Sequence, residues 1–137
     1  MKDEYYWLQK AHDLAKRCTP IETAFCVGAI LVDENDSIIA ESYSRDIAPR
    51  IHAEESAIKK AVTKHANLDN ARLFCSLEPC GERLSGKKTC VQRIIDAGIR
   101  KVYFSEYEPS TFVEGTGYEQ LKAAGITVTY LSYKDSA

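Results

Sequence analysis

Phe25-Cys-Val-Gly-Ala-Ile-Leu-Val32, Asp33-Glu-Asn-Asp-Ser37 and Ile38-Ile-Ala-Glu-Ser-Tyr43 follow one another without a break. The first is a near-continuous apolar run of strand length, the second a cluster of turn formers, the third a returning strand, so residues 25–43 predict a β-hairpin. On the N-terminal side, residues 3–18 set Tyr6, Trp7, Ala11, Leu14, Ala15 and Cys18 at three- and four-residue steps. That spacing predicts an amphipathic helix with one buried stripe, stopped by Pro20. On the C-terminal side, a loop holding Pro49 leads into residues 53–66, where Ala53, Ala57, Ile58, Ala61 and Val62 carry a helical period and Asn67–Asn70 closes the helix. Residues 71–77 predict a third strand, ended by Glu78-Pro79 because proline has no N–H for a central ladder. A polar loop over 81–86 precedes a helix over 89–97, with Val91, Ile94 and Ile95 on its apolar side and Gly98 as its stop. A fourth strand (101–105), a long loop (109–117), a helix (118–124) halted by Gly125 and a fifth strand (126–131) complete the pattern. This order predicts an α/β sandwich around a five-stranded mixed sheet, antiparallel at its N-terminal hairpin and parallel beyond.

At 137 residues the chain reads as a single domain, residues 1–137, and loses roughly two-thirds of its unfolded surface on folding. Hydrophobic residues make up 45% and charged residues 28%, the balance of a soluble globular protein. No apolar run approaches the ~20 residues of a transmembrane helix. The start, Met1-Lys-Asp-Glu-Tyr-Tyr-Trp7, has acids where a signal peptide is basic, and no apolar stretch follows. Lys plus Arg number 18 against 20 Asp plus Glu, a net charge of −2 that argues against nucleic acid as partner. Five cysteines, an odd count without a secretion signal, fit a reducing compartment: the cytoplasm, with the nucleus as a second location. There a cysteine pair points to metal before disulfide. Cys26 and Cys75 lie in apolar strand-like runs and read as small buried hydrophobes; Cys18 reads as structural, near a helix end.

Against that background stand His52-Ala53-Glu54, Glu78-Pro79-Cys80 and Cys90. A catalytic zinc takes three nitrogen or sulfur ligands from protein and leaves its fourth position to water. His52, Cys80 and Cys90 supply that count. His52 opens the helix over 53–66, and Cys80 and Cys90 lead into the helix over 89–97, so two helix N-termini aim all three at one point. Their dipoles favour thiolate over thiol there. Zinc lowers the pKa of its water from ~15.7 to about 7. Glu54, two residues beyond the histidine, stays off the metal and is placed to move protons as general base and acid. A solvated helix start or a lone Pro-Cys is commonplace; the conjunction at strand–helix junctions is what spells a hydrolytic deaminase acting on an amidine-like ring carbon. His12 and His65 lie far off along the chain and read as surface residues. Cys75 is a nearer candidate for a fourth ligand, but sits inside a strand.

At these residues the chain resembles the cytidine deaminase superfamily, which implies a three-layer α/β/α sandwich and a bound Zn²⁺. The usual second cysteine motif there is Pro-Cys-x-x-Cys. Here residues 81–89, nine in all, separate Cys80 from Cys90. That spacing is similar to the pyrimidine deaminases of riboflavin synthesis. So are Leu77-Glu-Pro-Cys80, Asp96-Ala-Gly-Ile99, Lys101-Val-Tyr-Phe104, the stretch from Glu108 to Gly117 and Leu121-Lys-Ala-Ala-Gly-Ile126; Arg83-Leu-Ser-Gly86 resembles the fungal form. The resemblance spans residues 5–131. It implies removal of a ring amine, as ammonia, from a ribitylamino- or ribosylamino-pyrimidinone 5′-phosphate. In the fungal order of steps that substrate is 2,5-diamino-6-ribitylamino-4(3H)-pyrimidinone 5′-phosphate. It also implies a homo-oligomer, a dimer or tetramer. The family's fused reductase or pseudouridine-synthase-like domain has no counterpart here, so the expectation is a stand-alone enzyme or an excised domain. Many members place a substrate-touching asparagine four residues before the glycine of the first strand; here that position is Ala24.

Recognition of a phosphate ester needs guanidinium, ammonium or backbone N–H donors. The loop between the cysteines carries Glu82, Arg83, Lys87 and Lys88. Arg83 and Lys87 or Lys88 are the expected phosphate contacts, with Ser85 and Gly86 giving backbone donors. Ser76, just before the zinc turn, is expected to line the base pocket, and Ala53 joins the candidate substrate contacts. Phe25, Tyr43 and Phe112 are candidates to stack on the ring, although Phe25 better suits the core. The competing readings are a deaminase of cytosine, guanine or a free nucleoside, a tRNA or DNA editing deaminase, which the acidic total opposes, and an inactive scaffold, which Glu54 opposes.

Overall fold

The computed structural model describes residues 2–83, 86–107 and 117–132. Within them the order is α1 (Glu4–Ala15), β1 (Gly28–Val32), β2 (Ile38–Tyr43), α2 (Ala53–Thr63), β3 (Arg72–Cys75), α3 (Cys90–Asp96), β4 (Lys101–Phe104), α4 (Gly117–Ala123) and β5 (Thr127–Tyr130). The strands form one sheet in the order β2-β1-β3-β4-β5. β1 is antiparallel to both β2 and β3, whereas β3–β4 and β4–β5 are parallel. The expected hairpin and mixed sheet are therefore the observed ones. The turn closes because Asp33 Oδ1 accepts the N–H groups of Asn35 (2.8 Å) and Ser37 (2.9 Å).

Alternation along the strands sorts the core into two layers. Ile30, Val32 and Phe74 face α1, where Trp7, Leu8, Ala11 and Leu14 meet them. Ala29, Leu31, Leu73, Cys75, Val102 and Phe104 face the other way, onto Ala53, Ala57 and Ala61 of α2, Val91 and Ile94 of α3 and Leu121 of α4. The result is helix, sheet, helices: three layers. Each fully buried Leu or Ile contributes about 1.5–3 kcal/mol. α1 lies so close that a Cβ on Gly28 would stand 1.8 Å from the Ala11 carbonyl oxygen.

Several details depart from the sequence pattern. Leu8 is fully buried while Tyr6 is 38% exposed, because the stripe of α1 runs through 7, 8, 11 and 14. Val62 and Ile95, expected in the core, are turned outward. β1 begins at Gly28, not residue 25: Cys26 is joined to Cys18 in a disulfide, and Val27 exchanges hydrogen bonds with Ser44. The reading of Cys18 and Cys26 as unpaired cysteines is thus corrected. Held in that covalent loop ahead of the strand, Phe25 is 54% exposed and no part of the core. No described helix is long and apolar enough to cross a membrane.

One edge of the sheet collects what matters for function. β3 and β4 run parallel and end together at Cys75 and Phe104, and antiparallel β1 starts beside them, with Ala29 opposite Cys75. Gly28, Ser76 and Ser105 therefore share this edge. The Gly28 N–H donates to Ser76 Oγ at 3.0 Å, and Ser105 Oγ donates to the Ser76 carbonyl. His12 reaches the same edge from α1: its Nε2 shares a hydrogen bond with Ser105 Oγ. It is half-buried, not the surface residue its sequence position suggests. His65 is exposed past the end of α2.

Candidate metal centre and active site

His52 is the N-cap of α2, in extended conformation, and Cys90 is the first residue of α3, whose N-cap Thr89 accepts the Gln92 N–H through its side chain. Cys80 follows the turn after β3. These three side chains, from three separate places in the chain, converge. His52 Nδ1 lies 3.6 Å from Cys80 Sγ and 3.3 Å from Cys90 Sγ, and all three donor atoms fall within 4.8 Å of one another. Zinc bonds of about 2.3 Å to sulfur and about 2.0–2.1 Å to nitrogen, at tetrahedral angles, put nitrogen and sulfur donors about 3.5 Å apart. The donor set fits that ion in type and in spacing. Cys75 is not part of the group among the described residues; its side chain lies in the core beneath. Three protein ligands leave a coordination position for water or substrate, the arrangement of a catalytic site.

Electrostatics prepare the site. Of the two thiols, Cys80 is the one that gives up its proton: hydrogen bonds from Cys90 Sγ, His52 and the Cys90 N–H outweigh burial and bring it down to about 4. Cys90, bonded to that sulfur and buried, is pushed well up. His52 is raised, chiefly by its bond to Cys80, and also by the charge of Glu54. The Glu54 charge is felt at Cys75 and Cys90 as well. Glu54 is only 3% exposed, so this carboxylate is buried close enough to His52 and Cys90 for its charge to act on both. Ala53, between His52 and Glu54, is fully buried at the first helical position of α2.

The expected substrate contacts divide. Arg83 Nη1 lies 3.2 Å from Glu55 Oε1, and its guanidinium also donates to the backbone carbonyls of Lys88 and Arg50. Lys88 pairs with Asp96 at 2.7 Å. The Gly86 N–H donates to the Arg83 carbonyl, and Gly86 itself has φ 76°. Lys87 lines a groove of about 320 Å³ together with Ala48, Pro49, Arg50, Ile51, Glu55 and Lys59. Ser76 spends its hydroxyl on the Gly28 N–H. Tyr43 packs with the α1 layer, on the sheet face opposite α2 and α3. Ser85 and Phe112 lie outside the described residues.

Two acidic residues that hold the site, Glu55 and Asp46, were not singled out in the sequence, and a third, Glu78, was named there only as part of the Glu78-Pro79-Cys80 cluster, without a role. Glu55 accepts the His52 N–H at 3.3 Å and lies against Arg83 and Arg93. Its position three residues after the N-cap is the capping-box spacing, a signal that was there to find. Asp46, its side chain 5% exposed, binds Lys60 and Ser56 of α2 at 2.7 Å each and so ties the loop before His52 to the helix. Glu78 accepts the Tyr118 N–H at 2.8 Å, and a Cβ on Gly117 would stand 1.9 Å from the Pro79 carbonyl, so α4 is seated against the turn leading to Cys80.

The family model for the cytidine and deoxycytidylate deaminase zinc-binding region matches residues 1–106. A diaminohydroxyphosphoribosylamino-pyrimidine deaminase of Schizosaccharomyces pombe is 40% identical over 124 residues, covering 89% of this chain and 30% of the relative. The chain thus spans about a third of the length of the curated relatives it matches. The crystal structure of Aspergillus oryzae Rib2 deaminase is similar with a TM-score of 0.82 and 31% identity, over 95% of this chain and 84% of that one. A deaminase/reductase of Thermotoga maritima has a TM-score of 0.84 and 30% identity, over 97% of this chain and 37% of that one.

Proposed function

The chain belongs to the cytidine and deoxycytidylate deaminase zinc-binding family, and on that premise we propose that it is a zinc-dependent aminohydrolase of a pyrimidine in riboflavin biosynthesis. The favoured substrate is 2,5-diamino-6-ribitylamino-4(3H)-pyrimidinone 5′-phosphate, and the products are the deaminated ring and ammonia. The observation that carries the chemistry is the convergence of His52, Cys80 and Cys90 with the buried Glu54 beside them. The similarity to the fission-yeast and Aspergillus deaminases supports the choice of substrate.

His52, Cys80 and Cys90 would hold the zinc, which would lower the pKa of a water to about 7 and so supply the nucleophile. Glu54 does the proton work. Its carboxylate takes the proton that water gives up and passes it to the ring nitrogen as the carbon becomes tetrahedral; it then takes the proton of the new hydroxyl and delivers it to the amine, which leaves as ammonia when the C–N bond breaks. Burial of Glu54 and of Ala53 keeps bulk water from that exchange. For the phosphate, Lys87 with Arg50 and Lys59 offers three cations on one groove, and Ile51 and Glu55 bring that groove to either side of His52. A cytoplasmic location and a homo-oligomeric state are part of the same proposal.

The test is ammonia release by zinc-loaded protein from this phosphate ester, its ribosylamino form, cytidine, cytosine and guanine. The ribitylamino phosphate is expected to react fastest by at least about ten-fold. Faster turnover of cytosine, guanine or cytidine would replace the substrate assignment while leaving the zinc chemistry.

A further inference from the structure

We propose that Glu55, Arg83 and Arg93 form a clamp that positions the loop between the two cysteine ligands, so that Arg83 serves the metal centre and not the phosphate. The clamp rests on the zinc reading of the site. Its centre is a single carboxylate. Glu55 Oε1 accepts the backbone N–H of His52 at 3.3 Å and lies 3.2 Å from Arg83 Nη1; Oε2 lies 3.0 Å from Arg93 Nη2. Three elements that carry ligands are thereby tied to one side chain: the start of α2 with His52, the loop running from Cys80, and α3 with Cys90. Arg83 completes the tie by donating to the Arg50 carbonyl at 3.1 Å and the Lys88 carbonyl at 3.2 Å.

Burial and geometry separate this arrangement from a surface ion pair. The Arg83 and Glu55 side chains are 6% and 11% exposed, and Arg93 is 29% exposed. A planar guanidinium that meets a carboxylate and two carbonyls has its fork committed, and a bidentate grip on a phosphate needs that same fork. Ordering a loop costs roughly 1–2 kcal/mol per residue in backbone entropy. Nine residues separate Cys80 from Cys90, and the clamp holds Arg83 and the Lys88 carbonyl, two described points between them, from inside. Outer partners that orient metal ligands are worth about 10–100-fold in metal affinity.

The experiment is zinc transfer from the loaded protein to a chromogenic chelator, after zinc content has been measured in each protein. Glu55→Gln and Arg83→Met are each expected to release zinc about ten-fold faster than the wild type, and the double variant no faster than either alone, since both break one device. Arg83→Lys keeps the charge but loses the fork, and is expected to release zinc several-fold faster; it stands in if Arg83→Met does not fold. KM for the phosphorylated pyrimidine should move by the same factor in Glu55→Gln and Arg83→Met. Wild-type release rates in these variants would overturn the clamp. So would a KM raised ten-fold in Arg83→Met alone, which is the mark of a phosphate contact. A wild-type protein that takes up no zinc would overturn the metal reading and the clamp with it, and the zinc-content measurement tells that failure apart.

Discussion

His52 and Cys90 reach the same point by different routes. The histidine half of the centre is local: N-cap, buried glutamate and supporting glutamate all fall within the first turn of α2, so one helix fixes His52, Glu54 and Glu55 relative to one another. The cysteine half is assembled from distance. Cys80 ends a turn held by Glu78 and α4, Cys90 begins a different helix, and the loop between them is seated by Arg83. The difference teaches that a helix turn sets angles by itself, whereas a loop needs partners from elsewhere to set them.

The sharpest way to break the comparison is at the residues themselves. Glu54→Gln should cut ammonia release by about 10²–10⁴-fold with zinc content unchanged; zinc lost in parallel would place Glu54 among the ligands. Cys90→Ser and His52→Ala should weaken zinc binding by more than the roughly 10–100-fold that loss of an outer partner costs, measured by chelator competition. A much milder loss on either side would show that the two halves do not share the ion equally.

Smaller effects test what holds the histidine half. Asp46→Asn should cost about 2 kcal/mol in urea unfolding, the order of a hydrogen-bonded charge left without its partner. Burial works to raise the Asp46 pKa, yet bonds from Lys60 and Ser56 prevail and it lies below its usual 3.8. Its stabilisation is present above the unfolded value and is lost as pH falls through the folded one, so the variant should show a flatter acid limb than the wild type. The smallest effect belongs to the far layer. Burial lowers His12 below its usual 6.5, against the pull of Glu106. Neutral His12 thus stabilises the fold above that value, and the contribution is lost as pH falls through the lowered one. His12→Gln should remove that slope, by under about 1 kcal/mol, without altering zinc release.

Much of this was legible beforehand. The hairpin over 25–43 and the helical periods around it foretell the mixed sheet, since apolar spacing reports which face each element buries. The candidate trio of His52, Cys80 and Cys90, which the fold brings together, was legible as a group because metal chemistry restricts residue types sharply, and Glu54 was legible as a candidate for the same reason in proton chemistry. Element ends were not: Cys26 left the first strand for a disulfide with Cys18, and Phe25 went to the surface with it. Charge roles were least legible. Arg83, Lys87 and Lys88 read alike as cations in a loop, yet one is clamped by Glu55, one pairs with Asp96 and one faces a groove.

What the chain alone determined is the set of groups that the candidate centre offers: one imidazole, two thiols and one carboxylate at strand–helix junctions. The tertiary structure decided how the loop between the thiols is held and where each of its described cations is placed. The reason is physical. Donor atoms for a metal are dictated by residue type, but the partner of a charge is whichever opposite charge the fold brings within a few ångströms, and no local pattern encodes that meeting.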